Sequence, residues 1–367
     1  MKILLNEIDR TQFMVHEHIL NGEVVYLVQP VHIGANWNQT NKIFRSSLWN
    51  SNGELISAGL PKFTNWGEKP EHFPLPESLK DAVVPEKVDG SLLIVSKYKG
   101  HFILRTRDTV DASKLDNGYE LDIFKATGIL ETLDVRNLNE ETWYYSYLFE
   151  WTSPTNKIVL NYGDQPDWYL VGIVNHKDYS LIPQDLLNDR AREFGVKRPK
   201  IYTFGDVAEL LANVDQWKDK EGVCVYTNKG QAIHKVKSAW YLVRHHMKSE
   251  LNNIEKVLDF WFENGKPEFV EFKQKVQEFD YEIWEQVQGF ASRIAEGYKE
   301  VQRIIEHMKQ FVNVELAKYP TRKLQAVVTF QSYGKGSNRS SFVFKLLDGK
   351  ELNDEDIKKL MFQVLKK

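Results

Sequence analysis

Short apolar runs separated by polar turns fill the first two thirds of the chain, and a three-to-four-residue period takes over beyond them. Val24-Val25-Tyr26-Leu27-Val28 reads as a strand, as does the stretch from Ile43 to Trp49. Asn52-Gly53 predicts a tight hairpin into Leu55-Ile56-Ser57. Pro61 to Trp66 reads as a loop, and residues 67–80, rich in Pro, Glu and Lys, as an exposed connection. Leu92-Leu93-Ile94-Val95 predicts a buried strand that pairs across Lys99-Gly100 with His101 to Arg107. Residues 115–140 look helical. Trp143 to Glu150 is a β-prone aromatic run, and Ile158-Val159-Leu160 and Trp168 to Val174 predict two more strands. Helical pieces are expected at 184–194 and 205–213. Gly222 to Tyr226 and Ala232 to Lys237 predict a hairpin closed by Asn228-Lys229-Gly230.

After about residue 248 the pattern changes. Val276, Phe279, Ile283, Val287, Phe290, Ile294, Tyr298, Val301, Ile305, Met308 and Val312 predict a long amphipathic helix, broken near Gly289 or Gly297. Val327-Val328-Thr329-Phe330 and Ser341-Phe342-Val343-Phe344 have strand composition around a loop at Tyr333-Gly334-Lys335-Gly336. A boundary near 245–252 is expected, with a larger β-rich domain over 1–248 and a smaller helix-rich one over 249–367.

The 367 residues suit two domains, and 42% hydrophobic with 13% aromatic composition supports a large core. A net charge of -3 excludes polyanion binding by bulk charge, so any nucleic-acid contact needs a local patch. Cys224 is the single cysteine, which excludes an internal disulfide or a cysteine-built metal site and suits a reducing compartment. The opening apolar run is cut short by Asn6, Glu7 and Asp9, so no signal peptide is expected. No apolar stretch nears the roughly 18 residues of a membrane span. The expectation is a soluble, cytoplasmic protein with no membrane partner.

Candidate chemistry centres on Glu86-Lys87-Val88-Asp89-Gly90-Ser91. A lysine on a turn leading into a buried strand is held rigidly, and desolvation with nearby cations favours its nucleophilic free amine. The plain alternative is a solvated lysine beside an Asp-Gly turn. Lys235 and Lys237, two apart on a strand, share a face, where two like charges call for an anion such as a polyphosphate. Arg105 and Arg107 repeat that spacing. In both cases a solvated, lysine-protected edge is the plain alternative. Glu150 closes an aromatic strand and Glu221 opens one; each suits a ribose hydroxyl or a hydrated divalent cation, though strand-end carboxylates are also ordinary. Arg45 stands amid apolar neighbours and needs a partner.

The order of these pieces is more specific than any one of them. Lys-x-Asp-Gly at 87–90, a basic strand, Phe149-Glu150, Glu221-Gly222 and Lys235-Val236-Lys237 resemble the series of the covalent nucleotidyltransferases, which comprise ATP- and NAD-dependent ligases and RNA capping enzymes. Phe149-Glu150-Trp151-Thr152-Ser153-Pro154-Thr155-Asn156-Lys157-Ile158-Val159-Leu160 is similar to the Pro-Thr-Asn-Arg-Ile-Val signature of the phage-type RNA ligase 1 family. Lys235 to Tyr241, including Trp240-Tyr241, resembles that family's last nucleotidyl motif. Arg45 and Lys62-Phe63 match its arginine and lysine for the outer ATP phosphates.

The resemblance implies an α+β fold: an adenylyltransferase domain over 1–248 built on antiparallel sheets with flanking helices, then a mostly helical C-terminal domain over 249–367 for RNA specificity. It tips 324–347 towards helix. It implies that Lys87 carries AMP, that Arg45, Lys62, Asp89, Glu150, Lys235 and Lys237 bind ATP, and that Glu150 and Glu221 hold a metal through water. Mg²⁺ is expected, with Mn²⁺ as its substitute. Arg105, Arg107 and Tyr241 are expected to contact RNA or phosphate. The expected partners are RNA, with a tRNA broken in its anticodon loop as one candidate, and a polynucleotide kinase-phosphatase. The sequence departs from the family pattern in having arginines at 105 and 107 where lysines are usual, Asp108 where a glycine follows, and Ser46 where a glycine follows Arg45. A DNA ligase, a capping guanylyltransferase or a catalytically silent RNA-binding module of the same fold are the alternatives.

Overall fold

Alternating apolar positions become strands wherever a second strand is available to take up their backbone hydrogen bonds. In the computed structural model, which describes residues 1–31, 35–115, 119–279 and 281–366, the chain divides into two units, Met1–His245 and His246–Lys367. The first unit opens with β1 (Phe13–Leu20), β2 (Glu23–Pro30), β3 (Ser47–Asn50) and β4 (Leu55–Ala58), an antiparallel sheet in that order. It continues through β5 (Thr64–Asn65), β6 (Val84–Pro85), β7 (Ser91–Tyr98), β8 (His101–Arg105), α1 (Tyr119–Ala126), α2 (Ile129–Arg136), β9 (Tyr145–Thr152) and β10 (Asp167–Asn175). Then come α3 (Leu187–Phe194), β11 (Ile201–Tyr202), α4 (Val207–Asp215), β12 (Gly222–Thr227), β13 (Ala232–Lys237) and α5 (Ala239–Glu250).

A second antiparallel sheet has the order β10-β9-β7-β8. One of its faces packs Phe149 and Trp168 against Phe124, Leu133 and Phe194 of the helices; the other packs Ile94, Leu148 and Val174 with Trp49 of the first sheet. β12 and β13 form the expected hairpin, and β5 adds to β13 in parallel, with Thr64 opposite His234 and Asn65 opposite Lys235. β6 pairs with β11.

Several expectations are corrected. Lys42–Arg45 is a single 3-10 turn and the strand starts only at Ser47. The Asn38 side chain accepts from the N–H groups of Thr40 and Asn41 at 2.8 and 3.0 Å, a local alternative to extended pairing. Ile158-Val159-Leu160 is not a strand, because the N–H groups of Val159 and Leu160 go to the Asp89 carboxylate. The loop at 61–66 contains β5, and Phe73 and Leu79 of the connection at 67–80 are buried. Residues 116–118 of the expected helical stretch lie outside the described residues.

The second unit is helical: α6 (Ile254–Glu263), α7 (Phe269–Phe279), α8 (Tyr281–Gln310), α9 (Arg322–Tyr333), α10 (Asn338–Leu347) and α11 (Asp354–Leu365). The 30-residue α8 runs unbroken through Gly289 and Gly297. At Gly297 a Cβ would lie 3.1 Å from Leu365 Cδ2, so the glycine admits α11 and does not break the helix. The strand-like composition at 327–330 and 341–344 is overridden by caps, since Thr321 accepts from the Leu324 N–H and Ser337 from the Ser340 N–H. No described helix is long and apolar enough to cross a membrane.

Candidate active site

Lys87 lies on the short connection between β6 and β7, fixed by its own N–H donating to the Gly222 carbonyl (2.8 Å) and by the Glu86 N–H donating to that of Lys200 (2.7 Å). Gly90 answers to a close approach: a Cβ there would sit 2.3 Å from the Trp151 carbonyl oxygen, so a side chain would push β9 away. Asp89 is buried and turned inward. Its Oδ2 accepts from Val159 and Leu160 N–H (2.8 and 2.9 Å), and its Oδ1 from the Tyr241 hydroxyl (2.7 Å). Its own N–H donates to the Tyr162 hydroxyl at 2.8 Å.

Both oxygens of Asp89 are thus committed within the protein, and Tyr241 is 2% exposed. Asp89 and Tyr241, expected at ATP and at RNA, here lock the lysine's turn to residues 159–160 and to the start of α5. Asp89→Ala leaves a buried hydroxyl and two N–H groups unpaired and is expected to cost on the order of 3 kcal/mol or more, read as a lower urea midpoint at unchanged slope. A loss under about 1 kcal/mol would contradict this arrangement.

Cations crowd the cleft beside Lys87. Period two along β13 turns Lys235 and Lys237 to one side while Val236 is buried on the other. Glu221, 2% exposed at its side chain, is straddled: Lys87 Nζ lies 2.7 Å from Oε2 and Lys237 Nζ 2.9 Å from Oε1. Among the described residues no carboxylate lies within ion-pairing distance of Lys235 or Arg45; both instead stand over the Phe63 ring, 5.7 and 4.8 Å from its centroid. Burial, then Lys237 and Arg45, lower Lys235 to about 8. Burial and then Arg107 lower Arg45 to about 10. Burial also lowers Lys62, whose Nζ is 4.0 Å from Glu68 Oε1. Such a cluster stores repulsion that a polyanion would relieve.

Lys87 itself departs from expectation. Burial acts to lower its pKa, but Glu221 and Glu150 outweigh burial and hold the ammonium above the ordinary lysine value. The depression expected from nearby cations is overcome because the Glu221 carboxylate stands 2.7 Å from the ammonium. Glu150 is also driven up, to about 7, by burial first, against the pull of Lys87 and with a push from Glu221 and Asp89. The cleft next to Lys87 and Glu150 has Leu60, Phe63, Val171, Cys224 and Tyr226 among its walls.

A family model described as RNA ligase matches residues 43–262. The chain belongs to the phage-type RNA ligase 1 family. A viral relative from Autographa californica nuclear polyhedrosis virus, named as a bifunctional polynucleotide kinase/RNA ligase, is 28% identical over 225 residues, covering 55% of this chain and 30% of the relative. The chain therefore spans about a third of that curated relative's length. Solved structures of the Naegleria gruberi RNA ligase are also similar: a form with pyrophosphate (TM-score 0.40, 15% identity, 63% of this chain and 76% of that one) and a ligand-free variant (TM-score 0.42, 15% identity, 64% and 80%).

The site of this RNA ligase family member thus gathers Lys87, Glu150, Glu221, Lys235, Lys237, Arg45 and Lys62 from distant parts of the chain. It does not gather Arg105. Expected to face RNA, Arg105 is fully buried and directs its donors to Ser46, Ser57 and Thr106. β8 ends at Arg105, so Arg107 falls outside the strand, exposed and paired with Asp108 at 2.7 Å. Sequence reasoning missed Cys224 as a cleft wall. The signal was present, since alternation with Val223 and Val225 turns Cys224 to the side of Lys235, its partner in register. Arg198, which lines the cleft and donates to Gln184 Oε1 at 2.9 Å, carried no such signal.

Proposed function

We propose that the chain is an ATP-dependent RNA ligase that joins a 5′-phosphate to a 3′-hydroxyl through a lysyl-AMP and an RNA-adenylate. The observation that carries this reading is Lys87, half-buried on its turn and lining a cleft with two carboxylates and an excess of cations over anions. Lys87 Nζ attacks the α-phosphorus of ATP; an N–P bond forms, the bond to pyrophosphate breaks, and the amine loses its proton. Arg45 and Lys62 receive charge on the departing pyrophosphate, while Lys235 and Lys237 oppose the charge growing on the α-phosphate. The adenosine enters the apolar cleft, with Glu150 towards the ribose. AMP then passes to the RNA 5′-phosphate, and the 3′-hydroxyl displaces it.

A divalent cation, Mg²⁺ or Mn²⁺ in its place, fits beside Glu150 and Glu221. Burial first, against the pull of Lys87, and then Glu221 and Asp89 push Glu150 towards neutrality, and a cation would reverse that push. A bound ion would supply charge neutralisation on the phosphates, and Glu150 and Glu221 would hold it through water. Residues 1–248 carry the adenylyl chemistry in this reading, and 249–367 select the RNA, a cleaved tRNA being one candidate. Joining needs a 5′-phosphate and a 3′-hydroxyl, so an end-healing kinase-phosphatase belongs with it, in line with the kinase in the viral relative's name. Arg107, exposed and close enough to Arg45 to act on its charge, is offered to phosphate.

The test is incubation with Mg²⁺, ATP labelled on the α-phosphate and RNA carrying both ends. Label on the protein that chases into RNA and yields joined product supports the reading. Joining of DNA alone, label from GTP alone, or no label on folded protein would each replace it, respectively with a DNA ligase, a capping enzyme and a binding module.

The Lys87 ion pair adds a pH dependence. Because the folded-state pKa is raised, the free amine is scarce at neutral pH and grows as pH rises, while Glu150 ionises through about 7. Single-turnover lysyl-AMP formation is expected to climb by up to about tenfold per unit above neutral pH until another step limits. A flat profile from about pH 6.5 to 9 would contradict the pairing. Glu221→Gln lowers the pKa of Lys87, so its amine is expected to react faster with an amine-directed reagent even as adenylylation is lost.

A further inference from the structure

Arg105 is a wholly buried guanidinium with no carboxylate among its partners. Its Nε donates to Ser57 Oγ (2.8 Å), Nη1 to Ser46 Oγ (2.9 Å) and the Thr106 carbonyl (3.1 Å), and Nη2 to the carbonyls of Ser46 (3.2 Å) and Ser57 (3.1 Å). Neutral acceptors offset only part of the cost of taking this charge out of water. An apolar side chain would fill the space without that cost, so what the guanidinium holds in place matters.

It holds two backbones. Ser46 directly follows Arg45, and the Ser46 Oγ that accepts from Arg105 donates onward to the Arg107 carbonyl at 2.8 Å. One side chain therefore fixes both the turn that carries Arg45 and the segment that carries Arg107. These two guanidinium groups repel each other, and a pair of like charges keeps a set spacing only on a rigid mount. A glycine at 46 has no hydroxyl to relay, and a lysine at 105 has one ammonium where the guanidinium reaches several acceptors in a plane.

Resting on the ligase reading above, we infer that Arg105 and Ser46 form one positioning unit that sets Arg45, with Arg107 beside it, against the outer phosphates of ATP. Neither touches substrate. Arg45 serves the pyrophosphate leaving group, so the unit matters for lysyl-AMP formation. It does not matter for sealing RNA that is already adenylated, because that step has no outer phosphates.

The experiment compares the full chain with Arg105→Lys, Ser46→Gly and the double variant in those two reactions. Each single variant is expected to slow single-turnover lysyl-AMP formation about tenfold or more and to raise KM for ATP. Sealing of pre-adenylated RNA without ATP should stay within about twofold of the unaltered chain. The double variant should be no worse than the poorer single one, because the two residues act as one unit. Equal losses in both reactions, or no loss in either, would overturn the inference, as would additive losses in the double variant. Should Arg105→Lys fail to fold, Ser46→Gly carries the same comparison, since it removes the relayed hydroxyl with its Cβ and leaves Arg105 in place. Absence of lysyl-AMP on the unaltered chain is a separate outcome that overturns the ligase reading itself.

Discussion

Lys87→Ala is expected to abolish transfer of label from ATP to the protein, a loss of at least about 10³-fold. No other amine can take over. Lys237 is bound to the far oxygen of Glu221 at 2.9 Å, and Lys235 stands over Phe63 on the next face position of β13. Neither is carried on the turn that Asp89 and Gly90 hold against β9. The chemistry also predicts what survives. Once AMP is on the RNA 5′-phosphate, the attacking group is the RNA 3′-hydroxyl and the lysine is no longer a nucleophile. Lys87→Ala should therefore still seal pre-adenylated RNA, more slowly for want of one cation. Denaturing gels of both reactions decide it. Residual label on Lys87→Ala protein would move the nucleophile elsewhere, and loss of sealing in a folded variant would give the lysine a larger part in the last step.

Gly222→Ala has the second-largest expected effect, through the backbone. Gly222 has φ +146, and a Cβ there would fall 2.0 Å from the Val236 carbonyl oxygen and 2.8 Å from the Lys237 Cα. Nothing flexible can yield, since both atoms are main chain of β13. The hairpin must open at the end that carries Lys237, and Glu221 moves with it. A cost of about 3–5 kcal/mol is expected in denaturant unfolding, with adenylylation lost even where the protein stays folded. Gly128→Ala is the control. Gly128 also has positive φ (+76), but a Cβ there meets nothing within 4 Å, so only the conformational cost of about 1 kcal/mol applies. Similar losses at the two positions would mean that β12 and β13 do not approach as described.

What the sequence made legible was whatever depends on spacing along the chain. Period two turns Lys235 and Lys237 to one side, and Asn228-Lys229-Gly230 closes their hairpin. What it hid depends on contacts between distant segments. Asp89 in a lysine motif looks like a ligand for nucleotide until residues 159 and 160 are seen to spend their N–H groups on it. Arg105 alternates correctly with Arg107 for a basic strand face, but the strand stops at Arg105 and the first sheet covers it, so one arginine is inside and the other out. The charge state of Lys87 was misread for the same reason, because composition placed two lysines near it and only the fold could add Glu221 at 2.7 Å.

The two residue pairs that join β5 to β13 have a mechanical consequence. Thr64 and Asn65 pair with His234 and Lys235, and the Trp66 N–H donates to the Lys235 carbonyl at 2.9 Å. Lys62 and Phe63 are therefore bolted to the strand that carries Lys235 and Lys237, and through the hairpin to Glu221. Glu150 belongs to a different sheet. Lys62, Lys235 and Lys237 thus share one hydrogen-bonded frame with Glu221, whereas Glu150 is mounted on another, so a change in one sheet alters the distance to Glu150 without altering the spacing of those three cations.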